Sequence, residues 1–169
     1  MNTVLEGRAR VLDNDVNTDY LISSRRKKET LDPVALSRYL LEDVDPAFAA
    51  SVRAGDILVA GSNFGCGSAM EVAVTVVLGA GIRAVVATSF ARTYWRNAVN
   101  NGLRLIEADT HGIVEGQALR VTIAGDRTEL WVGSSPARRL PCAPTPVFMQ
   151  TMLDAGGLVA YLRTHRRLA

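Results

Sequence analysis

Apolar and polar positions alternate along Thr3–Leu12, most clearly in Gly7-Arg-Ala-Arg-Val-Leu12, the period-two mark of a strand with one buried face. Further on the pattern changes to short, unbroken apolar runs: Asp56-Ile-Leu-Val-Ala60, Ala84-Val-Val-Ala87 and Leu103–Glu107. Runs of that length rich in β-branched residues read as strands buried on both faces. Between them lie two helical stretches. Glu71–Leu78 is apolar nearly all round, as suits a helix buried against a sheet. Phe90–Asn101 carries a stripe of Phe90, Tyr94 and Ala98 with Trp95 and Val99 beside it, Ser89 placed as its cap and Gly102 as its stop. Strand, helix, strand, helix, strand in that order argues for parallel pairing with right-handed crossovers, and so for an α/β class. Ligands of such sheets gather at the carboxyl ends of the strands, where the 61–68 loop and the 88–92 turn both fall.

The flanking segments fill out one domain over 1–169, with a core of about 4–163. Asp32-Pro33 opens a helix with Leu36, Tyr39, Leu40 and Val44 on one face, and Asp45-Pro46 opens a shorter one through Val52, closed by Gly55. Residues 117–123 and 128–132 form a hairpin about Gly125-Asp126. The Pro-rich 134–146 reads as loop, 147–155 and 157–163 as helices, and 164–169 as a basic tail. The sheet expected is mixed but mainly parallel, flanked by helices.

The centre of the chain is Gly61-Ser-Asn-Phe-Gly-Cys-Gly-Ser68. A strand, a glycine loop and a helix start expose unpaired backbone N–H groups and the positive end of a helix dipole, which suits a phosphate or carboxylate. The loop matches no nucleotide motif: Gly65-x-Gly67 lacks a third glycine, and no Lys-Ser/Thr follows. Ser68-x-x-Glu71 also has the spacing of a capping box, so the spacing alone leaves Ser68 as either a cap or a site residue.

Composition narrows the class. A hydrophobic share of 48%, a charged share of 21% and a net charge of +2 are those of a globular protein, without the basic, aromatic-laced patches of a nucleic-acid binder. No apolar run reaches the ~20 residues of a membrane span, and no signal-peptide pattern opens the chain, so a cytoplasmic protein is expected. Two cysteines, Cys66 and Cys142, and two histidines, His111 and His165, are too few and too scattered to build a zinc or iron–sulfur site in this chain. A reducing compartment disfavours a disulfide between them. Asp13-Asn-Asp-Val-Asn-Thr-Asp19 has the composition of a calcium loop without its spacing, and reads as turns. Arg25, Arg26, Lys27 and Lys28 are consecutive cations in an irregular segment, which are either solvated or turned toward an anionic ligand of the glycine loop.

Three of these segments, Gly61–Ser68, Ala87–Gly102 and Asn17-Thr-Asp19, resemble, in order, the small subunits of 3-isopropylmalate dehydratase, the separate-chain form of the aconitase swivel domain. The likeness spans roughly residues 4–165. It implies a swivelling β/β/α domain that closes the active site of a large subunit carrying a [4Fe–4S] cluster, with no cofactor held by the small chain. It further implies that Ser68 is the base that removes and returns a proton, that Asp19 is an active-site aspartate, and that Gly67 and Ala69 lie at the substrate. The 23–30 loop, with Arg25, Arg26, Lys27 and Lys28, falls where the family sets substrate selectivity.

One departure matters chemically. The family continues Gly-Ser-Ser-Arg-Glu-His, whereas this chain reads Gly67-Ser68-Ala69-Met70-Glu71-Val72. The arginine and second serine hold a substrate carboxylate there, and neither Ala69 nor Met70 offers a donor. Within the enzyme reading, the substrate is a small hydroxy-di- or tricarboxylate: isopropylmalate, or one of the homoaconitate, dimethylmalate or methylcitrate type. The opposing reading is a swivel domain that assembles with a partner and has lost catalysis.

Overall fold

The computed structural model of the protein describes residues 2–166. In chain order the elements are β1 (Asn2–Val11), α1 (Thr18–Leu21), α2 (Pro33–Ser37), α3 (Phe48–Ser51), β2 (Ile57–Ala60), α4 (Val72–Gly79), β3 (Ala84–Ala87), α5 (Arg92–Asn101) and β4 (Arg104–Glu107). Then follow β5 (Ala118–Ala124), β6 (Arg127–Val132), β7 (Arg138–Pro141), α6 (Val147–Asp154) and α7 (Leu158–His165). The strands make one seven-stranded sheet in the order β4-β3-β2-β1-β5-β6-β7. Pairs β1–β2, β2–β3 and β3–β4 are parallel, and pairs β1–β5, β5–β6 and β6–β7 antiparallel. The sheet is therefore mixed as expected, but evenly divided rather than mainly parallel. The difference is β7, which lies inside the stretch read as loop. It is an edge strand with exposed Arg138 and Arg139 and a terminal Pro141, so it lacks the apolar alternation that marks an inner strand.

The unbroken apolar runs are explained by two cores. Leu58, Ala60, Val85, Ala87 and Leu105 face α4 and α5, packing on Val74, Val77, Tyr94 and Ala98. Their alternate neighbours Ile57, Val59, Ala84, Val86 and Ile106 face the other way, against Val121, Ile123, Leu130 and Val132 of the antiparallel half. Alternate side chains point to opposite faces of a strand, so a strand between two cores has no polar positions to spare. α4, covered by the first core, buries Ala73, Val74, Val76 and Val77.

Beneath these layers the start of β2 is tied to β1. Asp56, 2% exposed, accepts from Arg8 Nε at 3.0 Å and Nη2 at 2.8 Å, from Arg10 Nη1 at 3.4 Å and from the Arg53 N–H at 2.9 Å. Burial by itself raises the pKa of this carboxyl, but the guanidinium of Arg8, the Arg53 N–H and Arg10 outweigh it and hold it below the ordinary Asp value. At the far edge, buried Arg104 of β4 bonds Gln150 and Asp154, which docks α6 onto the sheet.

Several helix boundaries shift. Asp32 caps α2 as expected, accepting from Val34 and Ala35 N–H, but α2 is one short turn. Val44 is exposed, and Leu41 takes a place in the core through a left-handed backbone. α5 begins at Arg92 with Ala91 as its N-cap, so Ser89 does not cap it. α7 continues through His165, whose ring stacks on Tyr161, so residues 164–165 are helical rather than tail. Residues 167–169 of the expected tail lie outside the described residues. Among the described residues, no helix is long and apolar enough to cross a membrane.

Candidate functional site

Past the carboxyl ends of β1, β2 and β3 the chains continue to pair as loops. From the β1 side, the Asp15 N–H donates to the Ser62 carbonyl at 2.9 Å and the Thr18 N–H to the Cys66 carbonyl at 2.8 Å. In return the Gly65 N–H donates to the Val16 carbonyl at 2.8 Å. Side chains close the same seam. Asn14 Oδ1 accepts from the Ser62 N–H at 2.8 Å, and Asn63 Nδ2 donates to Asp15 Oδ1 at 2.8 Å. Asp15 and Asn63, the pair so joined, both have left-handed backbones. The polar cluster 13–19 is thus a turn segment, as its composition suggests, laid along the glycine loop.

On the β3 side, the Phe64 N–H donates to the Ser89 carbonyl at 3.0 Å and the Ala91 N–H to the Phe64 carbonyl at 2.8 Å. The Ser89 hydroxyl accepts from the Asn63 N–H at 2.8 Å, which is where its bonding goes instead of to a helix cap. Phe64 is fully buried edge-on to Phe90 and Tyr94, and Tyr94 donates its hydroxyl to the Ala73 carbonyl at 3.1 Å. The aromatic stripe of α5 therefore props the loop from below. Gly65 sits against the Tyr94 ring with φ of 81°, and Gly67 against the Asn17 side chain with φ of 93°. A Cβ at either position would enter its neighbour, so both glycines answer close approach as well as backbone sign.

Ser68 leaves this loop exposed. The capping box does not form: α4 starts at Val72, its N-cap position is Glu71 in helical conformation, and no side chain caps it. The Ser68 carbonyl accepts from the Met70 N–H at 2.9 Å and from the Thr18 hydroxyl at 2.8 Å, while the Ser68 hydroxyl has no hydrogen-bond partner among the described residues. The N–H groups of Ser68, Ala69, Glu71 and Val72 likewise have none. An exposed hydroxyl thus stands among free backbone donors at the start of α4, an arrangement that favours a negative group. Asp19 stands in the first turn of α1, its N–H held by Asn17 Oδ1 at 2.9 Å and its side chain exposed. Through the Thr18 hydroxyl bond to the Ser68 carbonyl, the turn that carries Asp19 is tied to the segment that carries Ser68. Gly67 and Ala69 are exposed too. Met70 is not: it is 7% exposed and packs in the helical core.

The cationic run divides in two. Arg26 forms a fork to Glu42, Nε to Oε1 and Nη2 to Oε2, both at 2.8 Å, adds Glu29 at 2.9 Å, and lies over the Tyr39 ring at 3.7 Å. Its ion-pair partner Glu42 is held below the ordinary Glu pKa by that fork. Arg25 reaches Glu42 and Asp43 at 3.4 and 3.2 Å. Lys27 and Lys28 are exposed and form no ion pair among the described residues. Two residues lie within the motifs quoted from sequence without being singled out there: Thr18, buried and bonded to the Ser68 carbonyl, and Arg92, an exposed cation beside Ala91, whose N–H bonds Phe64 of the glycine loop. Cys66 and Cys142 are free thiols, Cys142 raised to about 11 chiefly by burial. Among the described residues no group of three His, Cys, Asp or Glu side chains is gathered to hold a metal.

Two clefts border these loops. One of about 560 Å³ lies between Val11, Leu12, Tyr20, Leu41, Val44 and Phe48, and one of about 300 Å³ between Asn14, Gly61, Thr88 and Thr110. Neither is lined by residues 67–70, and Ser68 is exposed.

Residues 22–110 match the model of the aconitase C-terminal domain. A 3-isopropylmalate dehydratase small subunit of Moorella thermoacetica is 41% identical over 162 residues, 94% of this chain and 95% of the relative. A methanogen homoaconitase small subunit of Methanocaldococcus jannaschii is 37% identical, covering 96% and 94% of the two chains. A crystal structure of 3-isopropylmalate dehydratase (leuD) from Methanocaldococcus jannaschii superposes with a TM-score of 0.88 at 38% identity, over 97% of this chain and 96% of the other. With nearly full-length identity at this level and the same fold, the chain belongs to the aconitase C-terminal domain family, among the small subunits of the 3-isopropylmalate dehydratase type.

Proposed function

We propose that this chain is the small subunit of a two-subunit hydro-lyase of the 3-isopropylmalate dehydratase type and supplies Ser68 as the proton-transferring base. The observation that carries the proposal is the Ser68 hydroxyl itself: exposed, not engaged in a cap, and carried on a segment leading into α4 whose N–H groups at 68, 69, 71 and 72 have no partner among the described residues. Those donors and the helix end lower the cost of a negative charge, both on the serine oxygen and on a substrate carboxylate beside it. A base placed there removes a proton from the carbon next to the one bearing hydroxyl as that hydroxyl leaves as water, and on rehydration in the opposite sense it returns a proton to the carbon that lost the hydroxyl. Asp19, on the turn tied to Ser68 through Thr18, adds a carboxylate to the reaction. The large subunit completes the half-site that this chain leaves open. In this proposal that subunit holds a [4Fe–4S] cluster, which supplies Lewis-acid chemistry at the departing hydroxyl.

The substrate is set by where positive charge remains. With Met70 in the core, and Arg25 and Arg26 occupied by Glu42, Asp43 and Glu29, the unpaired cations of the selectivity loop are Lys27 and Lys28. Those two lysines are the free charges of that loop for a substrate carboxylate, a group common to isopropylmalate, the leading substrate, and to the homoaconitate, dimethylmalate and methylcitrate types. The test is to reconstitute the chain with its large subunit and assay 2-isopropylmalate, 2,3-dimethylmalate, homocitrate and methylcitrate in both directions. Turnover of one of these supports the enzyme. A correctly assembled complex that turns over none returns the chain to the role of non-catalytic swivel partner.

A further inference from the structure

We infer that Thr18 is a positioning residue for Ser68, and that its hydroxyl is what keeps Ser68 out of the capping box its own sequence encodes. The inference rests on the reading of Ser68 as the base. Ser68-x-x-Glu71 has the residue types and spacing for reciprocal capping, in which the Ser68 hydroxyl would accept from the Glu71 N–H. A hydroxyl so used is directed at its own backbone and withdrawn from a substrate. In the structure the box is open, the Glu71 N–H has no partner among the described residues, and α4 starts at Val72, three residues after the start the box would give. The contact that distinguishes the two arrangements is Thr18 Oγ1 donating to the Ser68 carbonyl at 2.8 Å.

That bond is anchored. Thr18 is 2% exposed, and its own N–H donates to the Cys66 carbonyl at 2.8 Å, so its hydroxyl cannot follow the loop if the loop turns. Asn17 holds the next peptide by accepting from the Asp19 N–H, and its side chain covers the face of Gly67 where a Cβ would be. The carbonyl of Ser68 is pinned from the β1 side and from Met70, which sets the orientation of the peptide and leaves the side chain outward. Thr18 thereby couples two groups assigned to the reaction, since it is bonded to Ser68 and is the chain neighbour of Asp19.

Thr18→Val replaces the hydroxyl by a methyl of similar shape, and Thr18→Ser restores the hydroxyl. The Ser68 carbonyl keeps the Met70 N–H, so Thr18→Val does not strand a buried acceptor and its Tm is expected within about 4 °C of wild type. Amide hydrogen exchange at Glu71, measured on the assembled complex, is expected to slow in Thr18→Val as the box closes and to return to the wild-type rate in Thr18→Ser. In the same complex kcat is expected to fall roughly tenfold in Thr18→Val with KM within about twofold, and to recover in Thr18→Ser. Wild-type kcat in Thr18→Val, or a Glu71 exchange rate unchanged from wild type, overturns the inference. Should Thr18→Val fail to fold, Thr18→Ala is measured in its place against the same two results. Full turnover by Ser68→Ala would remove the proposed base, while the Glu71 exchange would still decide whether Thr18 holds the box open.

Discussion

Replacing Asp56 by Asn perturbs the joint that ties β1 to the start of β2, the strand that leads into the glycine loop. The carboxylate is 2% exposed and takes four hydrogen bonds, from two atoms of Arg8, one of Arg10 and the Arg53 N–H. The amide removes the charge and turns an NH₂ group toward guanidinium donors. Breaking a buried ion pair from one side costs about 3–5 kcal/mol. Arg10 keeps Glu115 at 2.6 Å and Ser51 at 2.8 Å, and Arg8 is partly solvated, so the cost falls near the low end, about 3 kcal/mol. At ~2–4 °C per kcal/mol for a domain of this size, Tm should drop by roughly 6–12 °C at pH 7. The pH dependence has a definite sign. A carboxyl whose folded pKa is depressed contributes stability above its unfolded value near ~3.9, and that contribution is lost as pH falls through the folded value. The Tm gap between wild type and Asp56→Asn should therefore be full at pH 5–7 and shrink below about pH 4. Thermal unfolding followed by circular dichroism from pH 3 to 7 measures it. A drop under about 2 °C at pH 7, or a gap that widens on acidification, refutes the reasoning.

Among the cations, Lys27→Gln or Lys28→Gln should lower kcat/KM with the true substrate by tenfold or more, ~1.5–3 kcal/mol being the worth of a charged hydrogen bond. Arg26→Gln should instead lower Tm by releasing Glu42 and Tyr39, and if all four Gln variants at 25–28 stay within about twofold of wild-type kinetics, the loop holds no part of the substrate. Gly65→Ala should cost more than ~2 kcal/mol in denaturant unfolding, because a left-handed backbone and the Tyr94 ring both oppose a Cβ; an effect under ~0.5 kcal/mol would show that the loop moves freely. The chain purified without a partner should bind no iron–sulfur cluster, read by anaerobic reconstitution and visible absorbance, and a stable brown protein with stoichiometric iron and sulfide would contradict this.

The parts of the fold legible in sequence were those fixed by burial. Ile57–Ala60 and Ala84–Ala87 are apolar at every position because cores lie on both faces, and a short apolar run bounded by polar turns says just that. Gly65 and Gly67 marked the loop because nothing larger fits beside Tyr94 and Asn17. Features decided by distant contacts were not legible. Ser68 and Glu71 satisfy a local capping rule, yet a hydroxyl fifty positions away in the chain takes the Ser68 carbonyl instead. Ser89 likewise resembles a cap and serves the Asn63 N–H across the loop seam. Arg25 and Arg26 look like free cations until Glu42 and Asp43 fold back onto them. β7 was hidden for an opposite reason: an edge strand needs no apolar face, and its arginines and proline read as loop.

The central claim is that Ser68 acts chemically and not as a helix cap. The direct measurement is turnover by Ser68→Ala in the complex reconstituted with the large subunit, beside its thermal unfolding. Because the hydroxyl caps nothing, Tm should match wild type, with a stability change within ~0.5 kcal/mol as for other exposed substitutions. Turnover should be lost while complex formation and substrate binding persist. Turnover at the wild-type rate, or a loss of activity that only follows a loss of stability of ~1 kcal/mol as a missing cap would give, contradicts the account.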